Sequence, residues 1–305
     1  SLTVKFFTDK GKAGALQELS SGNFTVFERF LIAFYSLFNY TYKLFFPHHF
    51  SAMHPYPDKV HGGLDIIFYI APVIMIILGV VSLFIKNKDL QKSYIFGGLF
   101  FFFMIALVLQ FVPVGGAIIA ERYTYVPYIG LSYVIGQIYC YLKDNYKKIT
   151  SLVTPIFIIW SAVFIYLTFT RNFDWKAGDI LFRDVIKKYP NMAFAYNNLG
   201  YFYQSHAKPT SWDSALKYYN QSIQVDPSFH RAYSNRGVVY FNIAPMKDTM
   251  ANKYYQMAIE DFLKALQIKS DNTDALLGIA NTYSQIGQFE KAIPYYDKYI
   301  EIEKE

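Results

Sequence analysis

Glu121 and Arg122 stand side by side in AIIAERYTYVPYIG (117–130), between two apolar runs. Charges at the edge of a hydrocarbon slab need a polar partner, since one at the bilayer centre costs roughly 2.5–3.5 kcal/mol even on lenient insertion scales. Adjacent residues on a helix diverge, so the two are poorly placed to serve each other. Arg122 carries the planar fork that takes phosphate oxygens in two parallel bonds, which makes Glu121 and Arg122 a candidate site for a lipid phosphate. A structural ion pair with another helix, or ordinary headgroup anchoring, is the competing reading. Upstream, FPHHFSAMHPYPDKVHGG (46–63) gathers His48, His49, His54 and His61. Four imidazoles have the donors for a divalent metal, yet their spacing matches no familiar ligand set and no metal site is assigned. Asp58 and Asp65 nearby read as solvated anchors. No residue reads as a general base, so none is assigned as catalytic.

These side chains sit in an unevenly divided chain. Of 305 residues, 53% are apolar and 20% aromatic, and a single cysteine excludes a disulfide-stapled scaffold. Long apolar stretches fill residues 1–170, while 171–305 has the mixture of a soluble helical domain. The front part holds 13 Lys and Arg against 8 Asp and Glu, the back part 16 against 15. The basic excess therefore lies in the membrane-like half, and a nucleic-acid-binding surface is not indicated.

Four stretches have about the 20 apolar residues a bilayer requires: 64–85, 94–112, 118–142 and 152–170. Lys86, Lys88 and Lys92 mark one connection as cytoplasmic, and Lys143, Lys147 and Lys148 another. The uncharged turn VPVGG (112–116), the 47–63 loop and everything after Thr170 then face outward. Tyr123, Tyr125 and Tyr128 form an interfacial aromatic belt, Pro127 suits the first position of a descending helix, and Cys140 reads as packing. Residues 24–46 read as an interfacial helix with Phe27, Phe30, Leu31, Phe34, Leu37 and Phe38 on its greasy face, a fifth span being the alternative. Ser1 and the lack of a signal-peptide pattern suggest the back part of a longer polypeptide.

Repetition dominates the second half. YNNLGYFY (196–203), YSNRGVVY (233–240) and LLGIANTY (276–283) are followed by Ala215 and Tyr219, Ala258 and Phe262, and Ala292 and Tyr296. Allowing for insertions in the turns, the period is the ~34 residues of the tetratricopeptide repeat. The fold class expected is all-α, polytopic transmembrane helices followed by a tetratricopeptide α-solenoid. The solenoid comprises a half-repeat at 175–190 and repeats at 193–227, 230–270 and 273–305. Arg236 stands where leucine is usual and Ser270 where proline is usual. The first helices should line a concave groove in which Asn198 and Asn235 are equivalent, with Asn197, Gln204, Asn281 and Gln285 nearby. Such amides can hold an extended peptide by its backbone, although Gly278 breaks the row in the third repeat.

Three blocks, ERFLIAFYSLFNYTYKLFFP, AERYTYVPYIG and RNFDWKAGDILFRDVIKKYPNMAFAYNNLG, resemble in sequence and order the closing segments of the transmembrane-and-TPR O-mannosyltransferases, membrane glycosyltransferases of the GT-C class. The resemblance spans most of 24–305. It implies a polyprenyl-phosphate sugar donor, membrane lipid and an acceptor polypeptide as partners, and no cofactor held by this chain beyond that donor. It also implies that the acidic catalytic residue lies in an outer loop missing from this chain, which would then be inactive alone. Integral membrane placement follows, in a bacterial inner membrane or an ER-like one, with the repeats on the periplasmic or lumenal side. The alternative is a non-enzymatic membrane-anchored scaffold that assembles an envelope complex.

Overall fold

The computed structural model describes residues 24–57, 63–109, 111, 117–205 and 211–304. The expected 112–116 turn, Asp58 and His61 lie outside these. Among the described residues all regular structure is helical, apart from one antiparallel bridge between His54 and Ile119. The chain divides into two compact units that meet at Asp174 and Trp175.

The first unit contains α1 (Val26–Phe45), α2 (Ile66–Val81, prolonged by a 3-10 turn over Ser82–Phe84), α3 (Lys88–Ala106), α4 (Pro127–Asn145) and α5 (Lys147–Asp174). Thr25 starts α1 through a capping box: its hydroxyl accepts from the Glu28 N–H, and the Glu28 carboxylate accepts from the Thr25 N–H. The expected greasy face of α1 is divided between the interior and the surface. Phe27 and Phe30 are exposed, whereas Glu28, Ser36, Tyr40 and Lys43 are buried with Leu31, Ile32 and Leu37. Polar groups turn toward partners inside the unit and aromatic ones outward, an arrangement that suits hydrocarbon surroundings.

Among the described residues, two elements, Ile66–Phe84 and Lys147–Asp174, are long and apolar enough to cross a membrane. At 1.5 Å per residue, the 28 residues of α5 extend about 42 Å. None of them is buried, and Leu152, Ile156, Ile159 and Ile165 are widely exposed. The expected stretches at 94–112 and 118–142 need correction. The first is helical over Lys88–Ala106. In the second, Ala117–Ala120 runs extended to reach His54, Glu121–Thr124 forms a 3-10 turn, and Pro127 opens the helix. Cys140 is exposed on α4 rather than packed.

Helices α3 and α4 meet at Gly97 and Gly130. A Cβ built on Gly130 would lie 2.5 Å from the Gly97 carbonyl oxygen, and the reverse distance is also 2.5 Å. The backbones are thus in contact, as small residues permit between membrane helices.

The second unit stacks α6 (Gly178–Lys188), α7 (Ala193–Ser205), α8 (Trp212–Val225), α9 (His230–Ile243), α10 (Ala251–Ile268), α11 (Thr273–Gln285) and α12 (Phe289–Lys304). The last six form three antiparallel pairs matching the expected repeats. Ala215, Ala258 and Ala292 are buried at the crossings. The Tyr219 ring fills the space over Gly200, and Phe262 that over Gly237 and Gly278. Asn272 caps α11 by accepting from the Ala275 N–H, which starts that helix without the usual proline.

Arg236 departs from the repeat pattern for a visible reason. Its Nε and Nη2 donate to both oxygens of Asp261 on α10, at 2.8 and 2.6 Å, and its Nη1 donates to Asn220 on α8 of the preceding pair. Burial pushes the Asp261 carboxyl above its ordinary pKa, while the guanidinium pulls it down. Restoring the usual leucine by Arg236→Leu should therefore destabilise the chain by about 3 kcal/mol, because Asp261 stays buried without its partner. Arg236→Leu combined with Asp261→Leu should recover most of that loss in thermal unfolding.

Likewise, Gly130→Ala should cost about 2 kcal/mol or more, whereas Gly98→Ala, whose Cβ meets nothing within 4 Å, should be tolerated.

Candidate functional site

Two polar groupings contain the residues singled out by sequence. The first surrounds Glu121, which the 3-10 turn holds against the inner face of α1. Its Oε1 lies 3.5 Å from Lys43 Nζ of α1, and its Oε2 lies 3.6 Å from Arg171 Nε near the end of α5. The Ser51 N–H also donates to Oε1, and Arg171 donates to Asp174 one turn further on. Lys43 donates to the His49 carbonyl and lies 2.9 Å from His54 Nε2. Burial raises the Glu121 carboxyl above its ordinary pKa, and the two cations and the Ser51 amide oppose that rise.

The backbone closes the same assembly. The His54 N–H donates to Ile119 and the Ile118 N–H to His54, both at 3.0 Å. Tyr40 accepts from the Ala120 N–H at 3.0 Å, and burial holds its hydroxyl well above the ordinary phenol range. Tyr128 donates to the Tyr40 carbonyl.

Glu121 and Arg122 therefore separate. Glu121 faces inward to Lys43 and Arg171, while Arg122 is exposed, with its guanidinium 5.0 Å from the Tyr123 ring centre and a bond to the Tyr123 hydroxyl. Arg122 keeps most of its donors available to an external oxyanion; Glu121 serves the fold. Sequence reasoning missed Lys43, Ser51 and Arg171. Lys43 had a signal, a lone cation in an apolar helix, but its partner was 78 residues away.

The histidines divide too. His48 Nδ1 donates to the Phe46 carbonyl, His49 lies edge-on to the His48 ring, and His54 is committed to Lys43. No three His, Cys, Asp or Glu side chains among the described residues are grouped to hold a metal. Asp65 is the N-cap of α2, accepting from the Ile67 N–H.

The second grouping lies along the first helices of the repeats. Asn235 Nδ2 donates to Asn197 Oδ1 at 2.9 Å, joining α9 to α7. Asn272 does the same between α11 and α9, donating to the Ser234 hydroxyl and lying 2.8 Å from His230 Nδ1. Asn198 turns back to the Phe194 carbonyl of its own helix. Gln204 and Asn281 accept from Tyr219 and Tyr296, equivalent tyrosines of the second helices. Gln285 is exposed at the end of α11. The amides thus form cross-links more than an open row, with spare acceptor and donor positions at Asn198 and Asn235.

Comparison with known proteins agrees with the repeat architecture. The tetratricopeptide repeat family matches residues 273–305. Protein O-mannosyl-transferase TMTC3 of Homo sapiens is 31% identical over 160 residues, which is 50% of this chain and 17% of that protein. Protein O-mannosyl-transferase TMTC2 of Homo sapiens is 31% identical over 131 residues, 38% of this chain and 15% of that protein. The chain thus spans about a sixth of the length of these relatives. Among solved structures, MamA MSR-1 is similar at 21% identity, with a TM-score of 0.32, over 41% of this chain and 66% of that one.

The Glu121 grouping makes a stability prediction. Glu121→Gln leaves Lys43 and Arg171 without their shared counter-charge and should cost about 3 kcal/mol. Adding Lys43→Met should return at least about 1 kcal/mol, a coupling that a double-mutant cycle of thermal unfolding measures.

Proposed function

We propose that this chain is the repeat-bearing part of a membrane-embedded protein O-glycosyltransferase of the GT-C class. In this reading the donor is a sugar linked to polyprenyl phosphate, and the acceptor is a Ser or Thr of a polypeptide held along the first helices of the repeats. One observation carries the proposal. The similarity to human O-mannosyl-transferase TMTC3 covers half the chain, more than the whole repeat unit from Trp175 onward, so it includes part of the first unit. Repeats alone would support only polypeptide binding.

The chemistry assigns different work to the two groupings. The acceptor hydroxyl oxygen forms a bond to the anomeric carbon as the bond from that carbon to the phosphate oxygen breaks. The hydroxyl proton passes to a base that we do not assign among the described residues, and the lipid phosphate departs with negative charge to be stabilised. Arg122, exposed beside Tyr123 and ahead of α4, is our candidate for that stabilisation. Asn198 and Asn235, with Asn197 behind them, are candidates for the acceptor backbone. In this reading the lysine-rich connections at 86–92 and 143–148 are cytoplasmic, which the positive-inside tendency supports, and Arg122 and the repeats belong to the outer side.

At native length, Arg122→Ala should lower transfer about 100-fold or more while the protein still inserts and keeps its thermal stability to within about 0.5 kcal/mol. Normal transfer by this variant rejects the phosphate role; if the native-length protein transfers no sugar at all, the scaffold reading takes over. Asn198→Ala should weaken acceptor-peptide binding about fivefold in a titration. Asn235→Ala should weaken it similarly and also lower stability by about 1 kcal/mol, because Asn197 loses its partner.

A further inference from the structure

A cavity of about 720 Å³ lies inside the first unit, bounded by α1 to α5. It falls within the roughly 300–1,000 Å³ of small-molecule sites, but its walls offer almost nothing to a polar ligand. Four hydroxyl side chains reach it, and each is already hydrogen-bonded: Thr41 to the Leu37 carbonyl, Ser82 to Gly79, Tyr94 to Leu78, and Tyr139 to Thr154. What remains is hydrocarbon and aromatic surface. The space therefore suits an apolar chain, and any polar head must lie beyond its ends.

The surroundings of one end select that head. Ser82, Tyr94 and Leu142 line the cavity where α2 gives way to α3 and where α4 approaches α5. Around these positions the connections carry Lys86, Lys88, Lys92, Lys143, Lys147 and Lys148, all exposed, against only Asp89 and Asp144. The Lys92–Asp89 pair, 3.9 Å apart and almost wholly in solvent, neutralises little. Such a basic rim, at the cytoplasmic surface in the reading above, attracts anionic lipid headgroups. Arg122 is not among the lining residues, so this place differs from the one proposed for the donor phosphate.

We infer that the cavity holds an acyl chain of an anionic phospholipid whose headgroup sits on the lysines of the 86–92 and 143–148 connections. The inference rests on the membrane reading above but not on glycosyl transfer. The lipid fills the space among α1 to α5 beside the close α3–α4 contact at Gly97 and Gly130, and so makes their packing depend on bilayer composition.

The test uses the native-length polypeptide in nanodiscs of phosphatidylcholine, with or without phosphatidylglycerol. Phosphatidylglycerol should raise Tm by roughly 5 °C and remain bound by native mass spectrometry. Gly98 lines the cavity, and a Cβ there meets nothing within 4 Å, so Gly98→Leu should occupy the chain's place and abolish the shift. Replacing Lys143, Lys147 and Lys148 with glutamine leaves the helices intact and should remove at least half of it, which decides the matter if Gly98→Leu does not fold. An equal shift in phosphatidylcholine alone, a shift that survives both variants, or displacement of phosphatidylglycerol by polyprenyl phosphate would overturn the inference. Release of the protein by alkaline carbonate is a separate result: it defeats the membrane reading itself.

Discussion

A carboxylate largely withdrawn from water has to draw its counter-charges to itself, and Glu121 does so from three distant parts of the chain. Lys43 comes from the first helix, the Ser51 amide from the loop after it, and Arg171 from the end of the last helix of that unit. Once these are in place, Ile118 and Ile119 are aligned against His54, and the turn that carries Arg122 has one position. The interaction is costly to assemble, because each ion gives up hydration that the others must replace. That same cost makes the arrangement selective: Lys43 and Arg171 have other partners in His49, His54 and Asp174, but only Glu121 joins the two cations to each other and to the Ser51 amide. The exposed guanidinium next door is held by a neighbour that never touches what it touches.

The repeat unit solves a similar problem with a different mixture. Most of its contacts are size matches, a ring over a glycine and an alanine where two helices cross. Such matches set spacing but say little about which pair stacks on which. Arg236 adds that information, since its fork reaches Asp261 within its own pair and Asn220 in the one before. The Asn197–Asn235 and Asn272–Ser234 bonds do the same on the other side of the stack. Directional bonds register a solenoid whose apolar contacts are nearly interchangeable from one repeat to the next.

What sequence revealed and concealed follows from the range of the interactions. The repeats were legible because small and aromatic residues recur at fixed offsets within single helices, and Pro127 announced its helix because its missing N–H fits the first position. The segment 117–120 was misleading for an equally physical reason. Alanine and isoleucine suit a helix, and only pairing with His54, more than sixty residues earlier, draws them into an extended form. On α1 the greasy residues divide: Phe27 and Phe30 turn outward, while Leu31 and Leu37 turn inward beside Tyr40 and Lys43, whose polar partners come from distant parts of the chain. Arg122 could be picked out by type alone. The inward role of Glu121 could not, because Lys43 and Arg171 are local oddities until the fold brings them together.

The bond between Asn197 and Asn235 has a kinetic corollary. A groove whose amides partly satisfy one another would give an acceptor chain, in the reading proposed above, few unmet hydrogen-bonding groups beyond the spare positions of Asn198 and Asn235; other contacts would be exchanged for ones that existed before. Exchange of this kind adds little net free energy, so residence times stay short and differ little between sequences. If the repeats hold the acceptor as proposed, a surface of that sort would let a polypeptide slip along in steps, presenting one stretch after another.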